Sequence, residues 1–133
     1  MSKSLLFLTF AEVIEIHQYQ IEHSGGEPGI RDLNMLRSAL AMPSASFDGQ
    51  YLHADIEDMA AAYLFHLVEN HPFVDGNKRT GAMAAVIFLG MNGYLFEASD
   101  KELVNMVLLT ASGKASKKEL AVFFRNHSRK KRR

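Results

Sequence analysis

From Met83 to Leu89 the chain reads Met-Ala-Ala-Val-Ile-Phe-Leu, seven residues without a polar side chain. They lie in a stretch from Asn77 to Met91 that contains no proline, and Asn92-Gly93 follows it with residue types that favour a helix stop. A helix that is apolar around its circumference has no face to offer to water, so other elements must wrap it. Residues 77–91 are therefore expected to form the central helix of a helical domain, with alanines that let neighbours approach closely.

Those neighbours can be read on either side. Thr9-Phe-Ala-Glu12 is a capping box, and the apolar spacing of Val13, Ile14, Ile16, Tyr19 and Ile21 predicts a helix over about 10–23, ended by Gly25-Gly26. Ile30-Arg-Asp32 leads into a short helix over about 33–40, which Pro43 stops. A third helix is expected over about 54–69. Two more capping boxes, Ser99-Asp-Lys-Glu102 and Ser116-Lys-Lys-Glu119, introduce helices at about 100–111 and 117–127, after a short extended piece at 94–96. Helix signals lapse over 43–52, where Asp48-Gly49 between Phe47 and Tyr51 favours a tight hairpin. The expected architecture is all-α, an orthogonal bundle of about six helices with a short hairpin-like flap.

A chain of 133 residues suits one domain, here expected over residues 1–128, with 129–133 as a basic, disordered tail. The net charge of zero hides an asymmetry: six of the 15 basic residues fall within 125–133, leaving nine against 15 acidic groups in the first 124 residues. The absence of cysteine excludes disulfides, thiolate catalysis and Cys-based metal sites. The apolar stretch at 5–10 is too short for a signal-peptide core, and no run is long enough to cross a membrane. A cytoplasmic location is the expectation.

Residues 70–79, Asn-His-Pro-Phe-Val-Asp-Gly-Asn-Lys-Arg, carry the chemistry. The first amides of a helix have no internal acceptor, and the aligned peptide dipoles leave partial positive charge beside them. Asp75-Gly-Asn-Lys78 entering an apolar helix is thus a candidate anion cradle, in which Gly76 permits a turn that a side chain would obstruct. Lys78 and Arg79 place full positive charges at the helix end that normally disfavours them, which points to a bound anion such as phosphate. A bare Asp75 carboxylate would repel that phosphate. A Mg²⁺ ion resolves the conflict, because it accepts carboxylate, water and phosphate oxygens together. Asp75 is therefore the candidate metal ligand, and His71, which can accept a proton near neutral pH, is the candidate general base. Pro72 and Phe73 read as a helix stop and a core anchor. Taken singly, a His-Pro pair, an Asp or Asn cap and a Lys-Arg pair each have plainer structural explanations. Their combination within nine positions favours a phosphate site.

This loop resembles the signature of the Fic/Doc superfamily, and its Lys78 form is similar to the death-on-curing branch, the Doc toxins. Arg31-Asp-Leu-Asn-Met-Leu36, Ser38-Ala-Leu40, Phe47-Asp-Gly49 and Phe88-Leu-Gly-Met-Asn-Gly-Tyr94 follow that branch in order and spacing, so the resemblance extends over about residues 9–125. It implies a single Fic/Doc (Fido) domain with His71 as the base and Lys78 and Arg79 as further catalytic residues. It also implies ATP bound at Asp75, Gly76, Asn77, Lys78 and Arg79, with Mg²⁺ on Asp75. Segment 43–52 takes the place of a flap that registers the target chain by strand-like pairing.

Departures from the motif bear on the reaction. AMP-transferring relatives have glycine in place of Lys78 and a second arginine in place of Ala82, so the resemblance implies the Doc reaction. In that reaction ATP binds in the opposite sense and its γ-phosphate passes to a threonine of elongation factor Tu. Met83 stands where the compared Doc toxin has asparagine. The implied protein is a kinase-like toxin of a toxin–antitoxin pair that inhibits translation; AMP or nucleotidyl transfer, or an antitoxin-binding co-repressor role, are the alternatives. The self-inhibitory pattern Ser/Thr-x-x-x-Glu-Gly/Asn is missing, so restraint is expected from an antitoxin whose tail folds on binding. Direct nucleic-acid binding is not expected, and DNA contact would come through that antitoxin. Among the other histidines, His17 and His66 are assigned structural places on helices, His53 a place beside the flap, and His23 and His127 places near helix ends.

Overall fold

The computed structural model describes residues 4–131. Its helices are α1 (Phe10–Ser24), α2 (Leu33–Ala41), α3 (Ile56–Asn70), α4 (Asn77–Met91), α5 (Asp100–Ala111) and α6 (Lys117–His127). Two antiparallel ribbons complete the fold: β1 (Ser46–Phe47) with β2 (Gln50–Tyr51), and β3 (Tyr94–Phe96) with β4 (Ser128–Lys130). This is the all-α bundle with a hairpin flap that the sequence implies. The hydroxyls of Thr9, Ser99 and Ser116 accept from the amides of Glu12, Glu102 and Glu119 at 3.1 Å, and those carboxylates accept the cap amides in return at 2.8–2.9 Å. At the flap tip Asp48 and Gly49 have φ of 53° and 79°, the left-handed pair that a two-residue hairpin turn requires.

The centre of the bundle differs from the expectation. It is α3 that is surrounded, packing against α2, α4, α5 and α6, and the small residues Ala60, Ala61 and Ala62 let those neighbours close in. Gly81 marks the tightest approach of α4, where a β-carbon would lie 3.3 Å from the Leu64 carbonyl oxygen. Only the face of α4 that carries Thr80, Gly81, Ala84, Ala85, Phe88 and Leu89 is buried. Its outer residues Met83 and Ile87 are each 38% exposed and line a groove of about 610 Å³ with Leu8, Ile16, Tyr19 and Met91. Hydrophobic periodicity reports that a surface needs cover, and not whether the same chain supplies it.

The C-terminal residues also depart from the expected free tail. An extended piece at 94–96 leaves backbone groups in need of partners, and the chain leaving α6 supplies them: Tyr94 pairs with Lys130, Leu95 with Arg129 and Phe96 with Ser128. Arg129 Nε donates to Glu97 at 3.1 Å, and the Lys131 amide to the Gly93 carbonyl at 2.8 Å. Residues 129 and 130 thus belong to the domain, whereas Arg132 and Arg133 lie outside the described residues.

One polar cluster ties the base of the flap to the bundle. Lys117 Nζ, at the start of α6, donates to Nε2 of His53 at 3.1 Å and to Nε2 of His66 on α3 at 3.0 Å. Burial first, and the Lys117 charge second, hold both imidazoles below their ordinary value of 6.5, His66 at about 4, against a smaller upward pull of Asp58 on His53. The unfolded chain therefore binds more protons as the pH falls below 6.5, and stability present above that value is lost on acidification toward the His66 value. Thermal unfolding should show a Tm that falls between about pH 7 and pH 4.5, and His66→Gln should flatten this fall. An unchanged slope in the variant would contradict the linkage.

Candidate functional site

The motif loop begins where α3 stops. His71 adopts left-handed φ and ψ of 48° and 53°, which turns the chain away and leaves the last carbonyls of the helix without internal partners. Arg31 supplies them, Nε donating to the His71 carbonyl at 2.6 Å and a terminal nitrogen to the Asn70 carbonyl at 2.9 Å. The amides of Arg31 and Asp32 both donate to the Pro72 carbonyl, at 2.7 and 3.0 Å, and the Val74 amide donates to the Gly29 carbonyl at 3.0 Å. Residues 29–32 thus lie antiparallel to 72–74, with Ile30 opposite Phe73.

Beneath the loop, Phe73 is fully buried and its ring stacks on His17, with centroids 3.8 Å apart and planes 6° from parallel. His17 Nε2 donates to the Asp75 carbonyl at 2.8 Å. Asn77 takes both polar groups of Phe73, Oδ1 accepting its amide and Nδ2 donating to its carbonyl, each at 2.9 Å. The Asn77 side chain, 5% exposed, is therefore committed to the loop, and what it can offer an anion is its backbone amide. Phe73 is the core anchor that its position suggested, and His17 has the structural place expected of it. Arg31 and His17 as supports of the loop were not foreseen, because the signal that finds them is spatial: both precede the motif by 40 residues or more.

The cradle opens above this support. Gly76 has φ of 80° and caps α4 with no side-chain hydrogen bond, so the amides of Asn77, Lys78 and Arg79 have no acceptor among the described residues. Asp75 Oδ2 accepts from the Glu27 amide at 3.2 Å and Oδ1 from the Gly76 amide at 2.8 Å. Those two bonds, and then the nearby charges of Arg79 and Lys78, hold the Asp75 carboxyl below the usual carboxylate range. Gly26 makes this approach possible, since a β-carbon there would sit 2.7 Å from Asp75 Oδ2. A terminal nitrogen of Arg79 donates to the Gly25 carbonyl at 3.0 Å, which ties the guanidinium to the end of α1 while most of its donors remain free. His71, Asp75 and Lys78 are exposed side chains of this one loop and helix start. Met83 and Ala82, one turn further on, face different sides: Met83 lines the α1–α4 groove, and Ala82 a slot against α5.

No cluster of three or more His, Cys, Asp or Glu side chains that could hold a metal occurs among the described residues. Asp75 is a lone, anionic, exposed carboxylate. One carboxylate completed by water and phosphate oxygens is a donor set that Mg²⁺ uses, and the residues present fit the ion in that manner.

A family model described as the Fic/DOC family matches residues 7–89. A "Toxin Doc" of Mycolicibacterium smegmatis is 46% identical over 69 residues, covering 52% of this chain and 53% of the relative. "Protein kinase doc" of Escherichia phage P1 is 30% identical over 111 residues, covering 83% of this chain and 86% of the relative. The match thus spans about half the length of the mycobacterial protein and most of the phage one. The chain belongs to the Fic/DOC family.

Two substitutions test the construction of the loop. Asn77→Ala strands the buried amide and carbonyl of Phe73, so chemical denaturation should show a loss of about 1–3 kcal/mol, and an unchanged midpoint would contradict the staple. His71→Gly relieves a left-handed conformation that side chains disfavour and should raise stability by about 1 kcal/mol. A lower midpoint would show instead that the imidazole holds the loop.

Proposed function

We propose that the protein is a Doc-like toxin of a toxin–antitoxin pair, a protein-modifying phosphotransferase that hands the γ-phosphate of ATP to a hydroxyl of a translation-machinery protein such as elongation factor Tu. The observation that carries this reading is the juxtaposition of three unpaired amides at the start of α4 with Lys78, Arg79 and an anionic Asp75, beside the exposed His71. The kinase named in the phage relative supports the choice of phosphoryl transfer.

In this reading the amides of Asn77, Lys78 and Arg79 hold the phosphate oxygens, and the Lys78 and Arg79 side chains neutralise charge on the transferring group. His71 takes the proton of the attacking hydroxyl, whose oxygen bonds to the γ-phosphorus as the bond to the β–γ bridging oxygen breaks and ADP departs. Asp75 would hold Mg²⁺, which when bound neutralises the β- and γ-phosphate charge. The Arg31 and His17 contacts hold the backbone carbonyls of His71 and Asp75, which keeps the two residues in register along the loop. The flap strand β1–β2, with Phe47 78% exposed at its tip, offers unpaired backbone and an apolar side chain to a target segment.

An antitoxin is the expected restraint. The α1–α4 groove is apolar and exposed, with Glu12 and Glu15 among its lining residues, and suits the apolar face of a tail segment that folds on docking and carries basic residues on its flank. A target in the translation machinery implies a cytoplasmic location; no described helix is long and apolar enough to cross a membrane.

The test is a parallel transfer assay with γ-labelled and α-labelled ATP, Mg²⁺ and elongation factor Tu. Label from the γ position alone, abolished by His71→Ala, is expected; label from the α position would make the protein an AMP transferase, and retained activity in His71→Ala would remove the base assignment. Asp75→Ala should abolish the Mg²⁺ dependence of nucleotide binding in calorimetric titration, and unchanged titrations would refute the metal-ligand role.

A further inference from the structure

The flap is too small to hold its own shape. A lone two-stranded hairpin is marginal in water, and here two residues of β1 pair with two of β2, closed by the Leu52 amide donating to the Ala45 carbonyl at 2.8 Å. Phe47, Tyr51 and Leu52 are all exposed, and neither strand packs broadly on a helix among the described residues. What the flap leans on therefore decides its stance. Just past β2, His53 is held by Lys117. At β2 itself, the Tyr51 ring meets the ring of Phe7, with centroids 5.7 Å apart and planes at 56°.

Phe7 belongs to the segment that precedes α1, and that segment is fixed on both sides of the ring. Asn92, which caps the end of α4, takes both backbone groups of Leu6, Oδ1 accepting its amide at 2.9 Å and Nδ2 donating to its carbonyl at 2.8 Å. The Leu8 amide donates to the Tyr63 hydroxyl of α3 at 2.9 Å. Between these clamps Phe7 stacks on Phe88 of α4, at 5.6 Å and 26°, and Phe88 in turn tilts against Tyr63 at 5.1 Å. Leu6 is itself 54% exposed, so its clamp buries little; what it delivers is a fixed place for the ring that follows.

We infer that Phe7 is a positioning residue for the target protein: through Tyr51 it sets the stance of the flap, and so the register in which an acceptor segment lies against it. The inference rests on the reading of the protein as a transferase whose target docks at the flap. Phe88 and Asn92, which carry and clamp the Phe7 segment, belong to the far half and end of the helix whose first turn forms the cradle. Flap and cradle are thus referred to one rigid element, and an acceptor hydroxyl held by the flap is placed relative to His71 through it. An aromatic pair contributes enough beyond its burial to change the population of one flap stance several-fold.

The experiment compares the full chain with Phe7→Ala, which removes the ring and keeps the backbone clamps, by amide hydrogen exchange and by transfer from γ-labelled ATP with Mg²⁺ to elongation factor Tu. Exchange of the Leu52 amide should speed up about three- to tenfold, with the amides of α3 unmoved. The KM for elongation factor Tu should rise by a similar factor, with kcat and the calorimetric ATP affinity within about twofold of the unmodified protein. Phe7→Leu, which keeps apolar bulk on Phe88 without a ring, should act in the same direction and serves if Phe7→Ala does not fold. Added to Tyr51→Ala, the Phe7 substitution should cost nothing further, because the two rings act through each other. Leu52 exchange unmoved by either Phe7 variant, an unchanged KM, a fall in kcat alone, or additive losses in the double variant would overturn the inference. Absence of transfer by the unmodified protein would overturn the proposed function and the positioning role with it.

Discussion

The carbonyls of Asn70, His71 and Pro72 all emerge where α3 breaks off, and each accepts hydrogen bonds from Arg31 or Asp32. A helix end that points its last carbonyls into a crowded loop must find donors for them, and here one guanidinium and two amides from a distant segment provide the set. The consequence is a loop with little freedom. Phe73 is locked beneath it by Asn77 and by the His17 ring, and the Asp75 carbonyl is held by the same imidazole. With the loop backbone held, the start of α4 and the Asp75 carboxylate have defined positions, and the exposed side chains of His71 and Lys78 project from a fixed backbone.

That rigidity explains how the site tolerates its own electrostatics. Two cationic residues stand at a helix N-terminus that repels them, three amides lack acceptors, and a carboxylate sits among these positive groups. The carboxylate is bound by the Glu27 and Gly76 amides instead of collapsing onto the open helix end, and Arg79 is tethered to Gly25. Positive potential is thus left unspent above the helix. A phosphate chain, with a cation beside Asp75, is the kind of ligand that satisfies all of these groups together. The costly groups remain exposed for a partner because the loop beneath them is satisfied from within.

Much of the fold was legible along the chain. The capping boxes at Thr9, Ser99 and Ser116 start α1, α5 and α6, Asp48-Gly49 turns the flap, and the span 77–91 is α4. Each of these is local chemistry within four residues. What was not legible depends on contacts between distant segments. The apolar run 83–89 suggested a surrounded helix, yet Met83 and Ile87 face a groove that the described chain leaves open. The basic end suggested a free tail, yet the unpaired edge of β3 recruits Arg129 and Lys130. At the site, the residue types of the motif pointed to His71, Asp75, Lys78 and Arg79, but the commitment of Asn77 to Phe73 and the roles of Arg31 and His17 follow only from three-dimensional proximity.

The proposed phosphate site is the start of α4, where three amides await acceptors. Amide NMR of the ¹⁵N-labelled protein, titrated with a non-hydrolysable ATP analogue and Mg²⁺, observes those groups directly. The Asn77, Lys78 and Arg79 amides are expected to move most, downfield as they gain acceptors, while Phe73, held by Asn77, moves little. Saturable shifts centred on another part of the molecule, with residues 77–79 unmoved, would contradict this placement of the phosphate.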